Sequence, residues 1–325
     1  MTDLLAIQGL RVRFRTVGLV RALVDRVADP YIDAVLDVSL ALREGETLGL
    51  VGESGSGKTT LARAVVGLVP VHSGSIHLNG RELVGLRESE YRGIRRQLGM
   101  MFQDPVASLS PRKTVRGLLI EPFHIHSVRD VDLEQEARRL LSIVGLHEGF
   151  LAAYAHQLSG GQARRVGVAR TLALKPKLIL ADEPTAGLDV SVQGEILNLM
   201  NELQQQFGLS YLIVTHNLPV IRHVSDRLAI MYLGRLVEQG PTRSVFAKPA
   251  HPYTQALVAA VPQPDPDKRR TELELQGEIP SLRRRPSGCE FHTRCIHAQE
   301  RCKVEAPLPM PLPGGREVRC HFPLT

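Results

Sequence analysis

The residues Gly52-Glu53-Ser54-Gly55-Ser56-Gly57-Lys58-Thr59 fit the pattern G-x-x-x-x-G-K-[ST]. They lie between an apolar run, Leu48-Gly49-Leu50-Val51, and a helix-like stretch that opens with Thr59-Thr60-Leu61. Strand, glycine loop and helix in that order constrain the chain to an α/β core built to hold a nucleoside triphosphate. Glycines let successive backbone N–H groups turn inward around phosphate oxygens, and the helix that follows aims the positive end of its dipole at them. Lys58 then reaches the β and γ phosphates, and Thr59 supplies a hydroxyl for Mg²⁺. Gly52 through Thr60 are the candidate nucleotide contacts.

Five further segments follow the same chemistry. Gln103 sits in Met101-Phe102-Gln103-Asp104-Pro105, and Leu158-Ser159-Gly160-Gly161-Gln162 comes later. An apolar run from Lys177 then ends in Asp182-Glu183-Pro184, ahead of Gly187-Leu188-Asp189 and Thr215-His216. In these segments the chain resembles the nucleotide-binding subunits of ABC transporters, where they stand in the same order as glutamine loop, signature, Walker B, D-loop and switch histidine. The resemblance implies an α/β ABC-type P-loop ATPase fold with a RecA-like core sheet, an antiparallel β subdomain and a helical subdomain. It also implies an ATP-hydrolysing enzyme using Mg²⁺, with Thr59, Gln103 and Asp182 toward the metal and Asp189 toward the nucleotide.

The residue chemistry can be read beside that resemblance. Asp182 ends a buried apolar strand, so its carboxylate emerges at the carboxyl edge of the sheet, where open α/β sheets bind ligands. Glu183 is next in sequence and points elsewhere, since neighbouring strand residues diverge; it is left to polarise an attacking water. His216 follows the strand-like run Leu209 to Val214 and is placed to meet the γ-phosphate and orient that water. Ser159 reads as an N-cap, and Gly160, Gly161 and Gln162 open a helix whose N–H donors face an anion. In ABC ATPases the signature of one subunit closes over the nucleotide held by the other. A working site therefore needs two chains, either identical copies or paralogues.

Length and composition suit this reading. A chain of 325 residues, 43% hydrophobic and 23% charged, is large enough for a buried α/β core plus a smaller unit. The expected division is a nucleotide-binding domain over 1–250, with a helical subdomain over about 103–174, and a C-terminal extension over 251–325. No run approaches the roughly 18 apolar residues needed to span a bilayer, and the N-terminal residues lack a signal-peptide core. The expectation is a chain that neither crosses a membrane nor is exported. Residues from Leu4 to about Glu46 read as antiparallel strands interrupted by an irregular stretch from Val17 to Pro30. Tyr31 is the favoured adenine-stacking aromatic, with Phe14 as the alternative; a tyrosine packing locally in a loop fits Tyr31 equally well.

The C-terminal quarter narrows the group. Ala250-His251-Pro252-Tyr253-Thr254 leads into a proline-rich run beginning Val261-Pro262, and all four cysteines follow, at positions 289, 295, 302 and 320. Here the chain is similar to oligopeptide and dipeptide permease ATPases and is most like their F-type subunit. That resemblance implies a D-type second ATPase, two transmembrane permease subunits, an extracytoplasmic substrate-binding protein, and a peripheral position on the cytoplasmic face of the inner or plasma membrane. Nickel, glutathione or another small solute could replace peptide as cargo.

Cys289, Cys295, Cys302 and Cys320 are confined to the last 37 residues of the chain. In a reducing compartment thiols stay free of disulfides, so four thiolates most naturally ligate a metal centre. The spacing C-x5-C-x6-C-x17-C matches neither a zinc ribbon nor a simple ferredoxin, and does not identify the metal. The permease-ATPase resemblance implies a [4Fe–4S] cluster; structural zinc and free or redox thiols are the alternatives. His292, His297 and His321 lie nearby as further possible ligands. The net charge of +6 has local concentrations at Lys268-Arg269-Arg270 and Arg283-Arg284-Arg285. These suit linker charge, an anionic leaflet or permease loops, and nucleic acid is not the expected partner. A soluble ABC ATPase acting on nucleic acid or ribosomes is the reading of another class. It is supported only by the basic tail.

Overall fold

The computed structural model describes residues 3–16, 30–104, 107–261 and 277–324. Most of the irregular stretch after β1, the proline-rich run from Pro262, the basic run Lys268-Arg269-Arg270, and Pro105 lie outside the described residues. The strands are β1 Asp3–Arg15, β2 Tyr31–Arg43, β3 Thr47–Val51, β4 Ser73–Leu78, β5 Arg81–Glu82 and β6 Leu98–Met101. They continue as β7 Leu178–Asp182, β8 Ser210–Thr215, β9 Arg227–Tyr232, β10 Arg235–Pro241, β11 Met310–Leu312 and β12 Arg316–Val318. Two compact units share them. Among the described residues, one comprises Arg43–Glu46 and those of Gly85–Val214; the other comprises those of Asp3–Leu42, Thr47–Val84 and Thr215–Thr325.

In the first unit β6, β7 and β8 run parallel, with Leu98 opposite Leu178 and Leu178 opposite Ser210. All residues of β7 and β8 are buried, as expected for parallel strands covered on both faces. Three helices, Val115–Ile125, Leu133–Ile143 and Gly160–Leu172, pack on one another. The middle one is typical: Asp132 caps it by accepting from the N–H of Glu134 and Gln135, and it buries Ala137, Leu140 and Leu141 along one stripe. A longer helix, Val190–Phe207, ends at Gly208, whose φ of 64° closes the last turn in the left-handed region.

The second unit holds an antiparallel sheet in the order β2-β1-β4-β5 and a run of strands β11-β12-β10-β9-β3, in which β3 and β9 are parallel. In β1 the buried set shifts from Leu5 and Ile7 to Leu10 and Val12, a change of phase by one residue. A bulge between Gln8 and Arg11 absorbs it, because one extra residue is what moves alternation to the other face.

The C-terminal residues join this second unit through β12, which pairs with β10 so that Glu238 faces Val318. Glu238 is only 1% exposed, and its carboxylate accepts from the N–H of Ala250 at 3.0 Å, from that of His251 at 2.8 Å, and from Arg316 at 2.8 Å. A buried carboxylate is tolerated when it is satisfied in this way. The cysteine-bearing segment and the Gly52–Thr59 loop thus belong to one packed unit.

Candidate functional site

The phosphate loop follows β3, whose residues are all buried, and leads into the helix Lys58–Val65. Its tight path requires glycine at two positions. A Cβ on Gly52 would lie 2.1 Å from the carbonyl oxygen of Met231, and one on Gly57, where φ is 104°, would lie 2.2 Å from that of Ala34. Lys58 is 6% exposed and its ammonium donates to the carbonyls of Gly52 at 2.7 Å and Glu53 at 2.9 Å. This clasp holds the first turn of the loop closed. Ser56 is buried, and its N–H and carbonyl bond Glu53 and Gly234. Ser54 and Gly55 are exposed, and Thr59 and Thr60 half-buried.

Glu53 is held on three sides. Its carboxylate takes a two-bond fork from Arg294 at 2.7 and 3.0 Å, its N–H donates to the Tyr253 hydroxyl at 3.0 Å, and its carbonyl is held by Lys58. Burial raises the Tyr253 phenol, so the hydroxyl stays neutral at physiological pH. In the same unit His216 is exposed immediately after β8, and Tyr31 opens β2 at 42% exposure, with the Arg13 guanidinium 5.9 Å from its ring centre. Phe14 is half-buried.

In the first unit Asp182 is the last residue of β7 and 4% exposed. Glu183 leaves the strand with φ of 49°, in the left-handed region that non-glycine residues seldom occupy, and its N–H donates to the Val214 carbonyl at 2.7 Å. Strain of this kind costs roughly 1–3 kcal/mol and persists at sites where the surroundings enforce it. The signature segment is capped reciprocally: Ser159 Oγ accepts from the Gln162 N–H at 3.2 Å, and Gln162 Oε1 accepts from the Ser159 N–H at 2.9 Å. Gly160 is exposed and Gly161 half-buried at the start of that helix. Asp189 caps the next helix by accepting from the Val192 N–H at 2.9 Å. Gln103 is exposed, and its main-chain carbonyl is gripped by the buried Arg164 at 3.0 Å.

The four cysteines sit together around one cavity. Cys289, Cys295, Cys302 and Cys320 line one cavity, with His292, His297 and His321 also at its wall. Among the described residues no group of three or more His, Cys, Asp or Glu stands in a metal-holding arrangement. Burial pushes the Cys289 thiol up to about 12 and Cys320 to about 11, and raises Cys295 as well.

Three residues that sequence reading gave no role prove to organise these loops: Arg294, Tyr253 and Arg164. Tyr253 stands in the run whose resemblance to permease ATPases drew notice, and Arg164 lies two residues beyond Gln162 in the helix that the signature opens. Arg294 had no local mark at all.

Residues 35–186 match the model of the ABC transporter family, and residues 237–302 match that of the oligopeptide/dipeptide transporter C-terminal region. An oligopeptide transport ATP-binding protein of Escherichia coli is 45% identical over 85% of this chain and 84% of its own length. Another, of Bacillus subtilis, is 44% identical over 90% of each. Among solved structures, a dimeric ATP-binding cassette in a post-hydrolysis state with ADP and Pi aligns at a TM-score of 0.65 and 28% identity, covering 74% of this chain and 99% of that one. The chain belongs to the ABC transporter ATP-binding family and carries the C-terminal region of its oligopeptide/dipeptide transporters.

Proposed function

We propose that this chain is the ATP-hydrolysing subunit of an importer for di- and oligopeptides, coupling ATP turnover to transport through separate permease subunits. The observation that carries it is the conjunction of a complete phosphate loop and signature with the peptide-transporter C-terminal region in one chain. Lys58 and the loop N–H groups hold the triphosphate, and Thr59 and Asp182 hold Mg²⁺, with Gln103 on the same metal. Glu183 takes the proton of the attacking water, which His216 orients. The signature segment, Ser159 to Gln162, closes on a nucleotide held by a second ATPase chain, so that dimer closure and reopening drive the permeases. Residues 1–250 carry this chemistry, and 251–325 form the extension.

The partners that fit are a D-type paralogue, two transmembrane permeases and an extracytoplasmic peptide-binding protein. No helix among the described residues is long and apolar enough to cross a membrane, which suits a subunit bound peripherally at the cytoplasmic face. The four cysteines have the donor chemistry for a [4Fe–4S] cluster, or zinc in its place, and their shared cavity supports that reading. Such a centre would staple a segment with little apolar core of its own. Iron, sulfide and zinc analysis of anaerobically prepared protein tests it, and absence of all three would overturn it.

Gentle detergent extraction of the tagged chain from its native membranes, followed by mass spectrometry, tests the transport reading. Two multispanning permeases and a second ATPase are expected; ribosomes or nucleic acid instead would overturn it. Lys58→Ala or Glu183→Gln should abolish peptide uptake, and uptake retained in either variant would remove those roles.

A further inference from the structure

The second unit brings a residue of the C-terminal extension onto the phosphate loop. Arg294 closes a short turn, His292–Arg294, directly before Cys295, and its side chain is only 5% exposed. Neighbouring packing sets its position. Phe291 is 2% exposed and stacks edge-on to Tyr232, with ring centres 5.3 Å apart, and also meets Tyr253 and His251. Gly288, at φ of 64°, passes so near Cys302 that a Cβ would lie 2.4 Å from its carbonyl oxygen. The guanidinium then lies 5.9 Å from the Tyr232 ring centre and forks onto Glu53.

Glu53 is an awkward residue for a loop that receives a polyphosphate. A carboxylate there repels the ligand unless a cation neutralises it, and a partly buried one must be hydrogen-bonded as well. Lys58 holds the backbone carbonyl of Glu53. The carboxylate is held by Arg294, in the bidentate geometry that a guanidinium provides and an ammonium does not.

We propose that Arg294 is a positioning residue for ATP binding: it neutralises Glu53 and fixes the first turn of the phosphate loop, so the C-terminal extension completes the nucleotide site. The proposal rests on the reading of this loop as the ATP site. It assigns the extension a direct part in nucleotide affinity, separate from any metal its cysteines hold.

The test is MgATP binding by the full-length chain, measured by calorimetry, together with the KM for ATP. Arg294→Gln should weaken binding about tenfold or more, as expected when the cation of a partly buried charge pair is removed. Arg294→Lys should restore only part of it. Adding Glu53→Gln to Arg294→Gln removes the orphaned charge and should bring affinity back to within about threefold of the starting protein. A merely structural role would leave the double variant as weak as the single one, and that result would overturn the proposal. Wild-type affinity in Arg294→Gln would overturn it too. Failure of the unmodified chain to bind MgATP would instead overturn the ATP-site reading on which it stands.

Discussion

Arg164, 1% exposed, donates from its guanidinium to the main-chain carbonyl of Gln103 at 3.0 Å. The same group also reaches the carbonyls of Phe102 and Ala186, each at 3.1 Å. One side chain of the signature helix thereby fastens both the glutamine segment and the loop that follows Glu183. Burial lowers its pKa, yet a guanidinium keeps its proton, so the grip is permanent at physiological pH.

Arg164→Lys should therefore cost more than its conserved charge suggests. An ammonium cannot serve three carbonyls in that fan, and each one left unsatisfied costs about 1–3 kcal/mol. The expected outcome is a lower melting temperature and an ATP turnover reduced at least about tenfold, because the glutamine segment loses its anchor. Circular dichroism melting and a phosphate-release assay check both. Unchanged turnover in a folded variant would show that the grip is dispensable.

Gly57→Ala should abolish ATP binding. The new Cβ would meet the Ala34 carbonyl oxygen at 2.2 Å in a residue whose φ is 104°, so either the loop or β2 must move. Strain of this kind costs roughly 2 kcal/mol or more, and it falls on the turn that aims the N–H groups. Equilibrium dialysis against labelled ATP is the direct check.

Phe291→Ala should destabilise the second unit by about 3–5 kcal/mol, the usual cost of emptying a fully packed aromatic site. The ring touches Tyr232, Tyr253 and His251; Tyr253 accepts from the Glu53 N–H, and Tyr232 lies against Arg294, which holds the Glu53 carboxylate. Denaturant unfolding should show a lower midpoint. Nucleotide protection against unfolding should weaken with it.

Asp33 supplies a pH signature. Its partial burial would raise its pKa, but hydrogen bonds and charge from Arg11 and Arg13 hold the carboxyl well below the usual carboxylate range. A depressed native pKa means stability that is fully present above the unfolded value of about 3.9 and is lost as pH falls toward the native one. The melting-temperature gap between the parent protein and Asp33→Asn should stay constant from pH 7 to about 4.5 and shrink below about 4. A gap independent of pH down to 3 would contradict the pairing.

The sequence by itself determined the nucleotide-handling motifs, the α/β class and the strand edges that present Asp182 and His216. Those features are local: phosphate chemistry demands glycine, lysine and a hydroxyl at fixed spacing, and Ser159 announces its own cap three residues ahead of Gln162. The cysteines announced themselves as a group, and the cavity they share was legible only as clustering, not as geometry. Tertiary structure alone decided the rest. Arg294 meets Glu53 across 241 positions, Arg164 meets Phe102 across 62, and Glu238 holds Arg316 across 78. Such pairs leave no periodicity or spacing in the chain. They form because packing of Phe291 and pairing of β12 with β10 carry distant segments together, and buried charges then take the partners that desolvation obliges them to find.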